Sequence, residues 1–114
     1  MEENEKEIQN AILSFLNISG NYAWRNNSAF VKTNYTTKAG IQKHGAFRAG
    51  IKGGSDILGI CGRDGKLIAI ECKRKGQKAT PVQEMFLNEI KAKGGYCGVA
   101  HSLDEAIQIM KPII

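Results

Sequence analysis

The chain has 114 residues and a net charge of +5, with sixteen Lys and Arg against eleven Asp and Glu; that length suits one domain, residues 1–114, whose single core needs most of its apolar residues. No apolar run approaches about 18 residues and no basic-then-apolar leader opens the chain, which argues against a membrane span and against export. Three scattered cysteines, Cys61, Cys72 and Cys97, with no C-x-x-C spacing, argue for reduced thiols in a cytoplasm and against a disulfide frame or a zinc knuckle.

In chain order, Ile8, Ala11, Ile12, Phe15 and Leu16 fall at helical spacing and predict a helix over 4–17, with Asn4 as cap and Glu7 at N3. Gly20-Asn21 ends it. Tyr22-Ala23-Trp24-Arg25 reads as a short strand that continues, broken, through Ala29-Phe30-Val31, and Trp24 reads as a core residue. From Lys32 to Lys52 apolar residues are few, so this stretch reads as a long binding loop or flap. Residues 25–52 carry six basic side chains, Arg25, Lys32, Lys38, Lys43, Arg48 and Lys52, and no acid. Such a block, with Arg74, Lys75 and Lys78 further on, suits a polyanionic partner. His44 in this block could meet phosphate or serve as a proton donor, though a lone loop histidine is usually just exposed, and His101 reads as a strand-end residue with no chemical part.

Residues 53–73 read as two apolar strands joined at Asp64-Gly65, a strong hairpin signal. Glu71 and Lys73 are two apart on the second strand and share a face, their α-carbons about 6.5–7 Å apart. A two-residue turn at Asp64-Gly65 sets Asp56 opposite Lys73. A turn centred one residue earlier sets it opposite Glu71, and a three-residue turn sets it opposite Cys72, off that face. In the first two registers two carboxylates and an ammonium meet, an oxygen-rich site suited to Mg²⁺ or Mn²⁺ that would polarise a phosphodiester. The competing reading is an ion-pair ladder on a solvated strand.

Thr80-Pro81-Val82-Gln83 announces the next helix, with Thr80 as cap, Pro81 at N1 and Gln83 at N3. Its expected stripe is Val82, Met85, Phe86 and Ile90, with Leu87 beside it, and Gly94-Gly95 stops it. Tyr96–Ala100 is a short strand, placed parallel to 67–73 by the intervening crossover. Ser102-Leu103-Asp104-Glu105 repeats the capping-box pattern before a last helix. The outcome is an α/β fold, a mixed sheet with helices against it.

Gly53 and Asp56, then Ile70-Glu71-Cys72-Lys73, then Gln83 on the following helix, resemble the PD-(D/E)XK nuclease superfamily. Within it the chain resembles the VRR-NUC family, virus-type replication-repair nucleases, in the stand-alone form typical of phages. The likeness takes in Glu7-Ile8-Gln9, Trp24-Arg25-Asn26, the hairpin, the Gln83 helix and Val99 to Ala106. Two departures stand out: Ser55 where a proline often precedes the acid, and Ala100-His101 where an arginine pair often follows the valine.

The resemblance implies a PD-(D/E)XK core and a metal-dependent DNA endonuclease acting on branched DNA, of Holliday-junction or flap type, in phage or host cytoplasm. It implies that Asp56, Glu71 and the Cys72 backbone carbonyl bind Mg²⁺ or Mn²⁺, with Glu7 as a further ligand from the first helix. Lys73 would then position or activate the attacking water, and Gln83 would support the site. The basic residues Arg25, Lys38, Lys43, Arg48, Lys52, Arg74, Lys75 and Lys78 are the expected DNA contacts. Acting on two strands, so small an enzyme needs a second active site, so a homodimer is expected. The alternative is a module with the same fold that binds structured DNA without cutting it.

Overall fold

The computed structural model describes residues 3–26, 29–49 and 54–112, with the backbone alone over 29–35 and 44–49. Helix α1 (Glu5–Ile18) begins at a complete capping box: the Asn4 side chain accepts from the Glu7 N–H, and the Glu7 carboxylate faces the Asn4 N–H. Strand β1 (Tyr22–Arg25) follows after Gly20, which takes a positive φ. Two further strands, β2 (Ala29–Thr36) and β3 (Gln42–Ala49), form a separate antiparallel pair running from Ala29 opposite Ala49 to Thr36 opposite Gln42.

The stretch expected to be a loop is therefore mostly a two-stranded ribbon. Its threonines, Val31, Tyr35 and Phe47 are strand formers. The turn closes with the Thr37 N–H donating to the Ile41 carbonyl and Gly40 at φ +81°. Lys38 occupies the tip of that turn.

The main sheet is built from β1, β4 (Ile57–Ile60), β5 (Leu67–Cys72) and β6 (Tyr96–Ala100) in the order β1-β4-β5-β6. β4 is antiparallel to both neighbours and β6 is parallel to β5. The sheet is thus mixed, as the crossover predicts. Helix α2 (Pro81–Ala92) links β5 to β6, and α3 (Leu103–Ile109) closes the described fold.

Alternation along the strands divides the core in two. On one face Ile8, Ile12 and Leu16 of α1, with Ala106 and Met110 from the α3 region, pack on Ala23, Ile57, Ile68, Ile70, Cys72 and Ala100. Fully burying each of these Ile and Leu side chains contributes about 1.5–3 kcal/mol. On the other face α2 lays Leu87, Phe86 and Ile90 over Leu58, Ala69, Cys97 and Val99. The expected stripe of α2 is only half right. Val82 and Met85 are exposed, because α2 rests on the β5–β6 side of the sheet and turns Leu87 to it.

The β4–β5 register decides where Asp56 falls. Ile57 stands opposite Ile70 and Ile60 opposite Leu67, so the next step sets Asp56 against Glu71, one of the two favourable registers. The connection is wider than a two-residue turn: the Cys61 N–H donates to the Lys66 carbonyl and the Gly65 N–H to the Cys61 carbonyl. Gly65 supplies φ +75°, a conformation that costs glycine little. Asp64 takes the Lys66 N–H on one oxygen and the Tyr96 hydroxyl on the other. Gly62 passes so close to the Gly20 carbonyl that a Cβ there would overlap it. Among the described residues no helix is long and apolar enough to cross a membrane.

Candidate metal centre

Asp56 stands just before β4, held through its backbone from the residue after β1 and through its side chain from β5. The Asn26 N–H, beyond the end of β1, donates to its carbonyl at 2.9 Å. Its side-chain Oδ2 accepts the Cys72 N–H at 2.9 Å. The first carboxylate is thus tied to the strand that carries the second.

Glu71 lies on the α2 face of β5 and is 1% exposed. Its Oε1 accepts from Gln83 Nε2 at 2.9 Å and sits 3.9 Å from the Lys73 ammonium. Its Oε2 is buried and accepts no hydrogen bond from the protein while Glu71 is ionised, and when Glu71 is protonated its carboxyl shares a hydrogen bond with Asp56. Burial, and after it the charge of Asp56, pushes the Glu71 pKa up to about 8, and Lys73 only partly offsets this.

Gln83 serves both of the roles that its sequence position suggests. Its Oε1 accepts the Thr80 N–H at 2.8 Å, completing the capping box at the start of α2, while its Nε2 holds Glu71. Helix entry and carboxylate orientation are thereby joined in one amide.

The donor set suits a hard divalent cation. Two carboxylates are pressed together with too little positive charge between them, and one buried oxygen accepts no hydrogen bond while Glu71 is ionised, a costly state that a cation would relieve. Asp56 and Glu71 would hold it, with the carbonyl of Cys72, the residue after Glu71, as a third oxygen. Among the described residues no group of three or more His, Cys, Asp or Glu side chains is gathered to share an ion. The rest of the shell falls to backbone, water or ligand oxygens.

Glu7 is not brought to this group: it is exposed and engaged at the cap of α1, on the opposite side of the sheet from Glu71. The α1 acid whose charge reaches the end of β5 is Glu5, which helps raise the Cys72 thiol. Burial is the main cause of that rise, to about 12, so Cys72 is an inert core thiol.

Arg74, Lys75 and Lys78 are exposed on the segment after β5, and Arg25 is exposed at the neighbouring end of β1. Lys38 and Lys43 are exposed on the ribbon. Gly53 and Lys52, and the side chains of Lys32, His44 and Arg48, lie outside the described residues.

Two residues do more than their sequence positions suggest. His101 bridges α3 to the segment after β5: Nδ1 meets Glu105 Oε1 at 2.8 Å and Nε2 meets the Gln77 carbonyl at 2.7 Å. Glu105 also accepts the His101 N–H, so the box at α3 is half formed, with Ser102 capping the Glu105 N–H alone. The i,i+4 spacing of His101 and Glu105 is the signal that points to the pair. Trp24 is 39% exposed, not a core residue, because it points to the opposite face of the sheet from Ala23, the one residue of β1 buried in the α1-side core.

No protein-family profile matches the chain, and no curated protein sequence matches it.

Proposed function

We propose that the protein is a divalent-metal-dependent DNA endonuclease with a VRR-NUC-like PD-(D/E)XK core. The observation that carries this reading is the buried Glu71 carboxylate, with one oxygen unpartnered when ionised, between Asp56 and Lys73 at the end of β5. A bound Mg²⁺ or Mn²⁺ would polarise the scissile phosphate and lower the pKa of an attacking water. Asp56 and Glu71 present the oxygens, and Gln83 fixes the orientation of Glu71. Lys73, its side chain 16% exposed, places a cation where the water or the developing phosphorane charge would stand. Arg25, Arg74, Lys75 and Lys78 lie exposed around this end of the sheet and would supply phosphate contacts. Branched DNA is the favoured substrate class, and a homodimer would bring two such sites to two strands.

Asp56→Ala and Lys73→Ala are each expected to lower cleavage by a factor of about 100 or more while leaving the fold and most DNA affinity unchanged. Gel assays of cleavage, paired with anisotropy binding in EDTA, check this. A variant that cuts at the wild-type rate would refute the assignment.

A further inference from the structure

The sheet face that carries Glu71 is only half covered. Helix α2 lies over β5 and β6 and reaches Leu58 of β4, which is buried, and among the described residues Tyr22, Trp24 and Ile60 on the β1–β4 side of the same face stay exposed. In the row nearest the carboxylates, Trp24 stands opposite Leu58, and Leu58 opposite Ala69. In the next row Tyr22 stands opposite Ile60, and Ile60 opposite Leu67. Tyr22 is 71% exposed, and Trp24, Ile60 and Leu67 are between 38% and 44% exposed. The Tyr22 and Trp24 rings are 5.6 Å apart, tilted at 53°.

Charge marks both ends of this ledge. At one end are Asp56, Glu71 and Lys73. At the other a hollow of about 270 Å³ is lined by Lys66, Leu67, Ile90, Lys93 and Gly95. From Glu71 to Leu67 is four strand residues, about 13 Å, the length of a few nucleotides of single strand. Lys93 is paired with Glu89 at 3.5 Å, but both are largely exposed, and such a pair is weak enough to exchange for a phosphate.

We infer that this ledge, Tyr22 and Trp24 over Ile60 and Leu67, is a binding platform for unpaired DNA, taking unstacked bases on its rings and a phosphate between Lys66 and Lys93. The platform deepens the nuclease reading and rests on it, since it would lead a single-stranded segment to the carboxylates. Aromatic faces stack bases of any sequence, and a cation beyond them follows the backbone. The lysines at the rim, Lys66 and Lys93, favour a polyanion on this face over a second copy of the same face, which would set these lysines against each other.

Trp24 is the single tryptophan, so its emission reports on the platform directly. The test is titration of the full chain with a short oligothymidylate in EDTA, read by Trp24 fluorescence and, for variants, by anisotropy of labelled DNA. The expected result is saturable quenching that weakens with salt. Tyr22→Ala and Trp24→Ala should each weaken binding about tenfold, Trp24→Phe should restore most of it, and Lys66→Ala with Lys93→Ala should flatten the salt dependence. Equal binding of an abasic backbone polymer, indifferent to Tyr22→Ala, overturns the platform. So does a Trp24 shielded in a dimer that Ile60→Asp dissociates. Because no metal is present, these outcomes are independent of cleavage: a protein that cuts DNA with Trp24 silent loses the platform and keeps the nuclease.

Discussion

Glu71 is a carboxylate held where a charge is expensive, and the consequence is a definite dependence on pH. Its pKa rises from 4.5 in the unfolded chain to about 8 in the fold, so between these values the folded state holds a proton that the unfolded state has released. The associated stability is complete below about pH 4.5 and is lost as pH rises through about 8. The melting temperature of the metal-free protein should fall over that window, and fall less in Glu71→Gln. Mg²⁺ added at the alkaline end should raise the wild-type melting temperature and leave the variant's unchanged, since bound cation favours the ionised carboxylate. An equal slope in both proteins would remove Glu71 from this role.

Gln83 makes a second residue-level test. Gln83→Ala removes the cap bond and the Glu71 bond together and should cost about 1–2 kcal/mol in urea unfolding. Thr80→Ala should cost about 1 kcal/mol yet leave cleavage intact, because it takes away the cap without touching Glu71. The capping role is legible in Thr80-Pro81-Val82-Gln83, where four adjacent residues carry the whole signal. The second role is not, because the atom that Gln83 meets belongs to a strand twelve residues back and depends on how α2 settles on the sheet.

At the level of the element, the hairpin shows how far local chemistry reaches. Asp64-Gly65 marks the reversal correctly, but the connection is wider than two residues, and the Asp64 within it is held by the Tyr96 hydroxyl from β6, a long-range contact. Hence the three charges are legible in the sequence while the register that joins them is not. Periodicity likewise marks α2 but not the face it buries, since Val82 and Met85 would need a sheet extending further under the helix than this one does. The ribbon of β2 and β3 is masked in the sequence by polar side chains, whose strand preference is visible only in the threonines and aromatics.

The His101 bridge is an element-level contact with its own pH signature. The partner Glu105 and the Gln77 carbonyl raise the His101 pKa above 6.5, and His101 holds Glu105 below 4.5. The histidine's contribution is complete below pH 6.5 and is lost as pH rises through its raised value. The glutamate's is complete above pH 4.5 and is lost as pH falls through its lowered value. Both operate fully between about 4.5 and 6.5. The difference in melting temperature between the wild type and His101→Ala should be largest there and shrink toward alkaline pH. A constant difference would assign His101 to packing alone.

Across the whole molecule, the ends of β1, β4 and β5 bring Arg25, Asp56, Glu71 and Lys73 to one edge of the sheet, with Arg74 and Lys75 following at once. Their residue types and order are legible from the sequence. Their convergence is not, because it needs the antiparallel β1–β4 pairing, which joins segments more than thirty residues apart, and the parallel β5–β6 crossover. Glu7 illustrates the same limit: its place in the chain suits a ligand, yet α1 packs against the other side of the sheet.

The central claim is that this edge of the sheet holds a divalent ion and cuts DNA. The most direct measurement is incubation of the purified protein with labelled junction, flap, single-stranded and duplex DNA, in Mg²⁺ or Mn²⁺ and in EDTA. The account predicts cleavage of at least the branched substrates with metal and none in EDTA. Binding that is equal with and without metal, with no strand cut in any of the four DNAs, would contradict it.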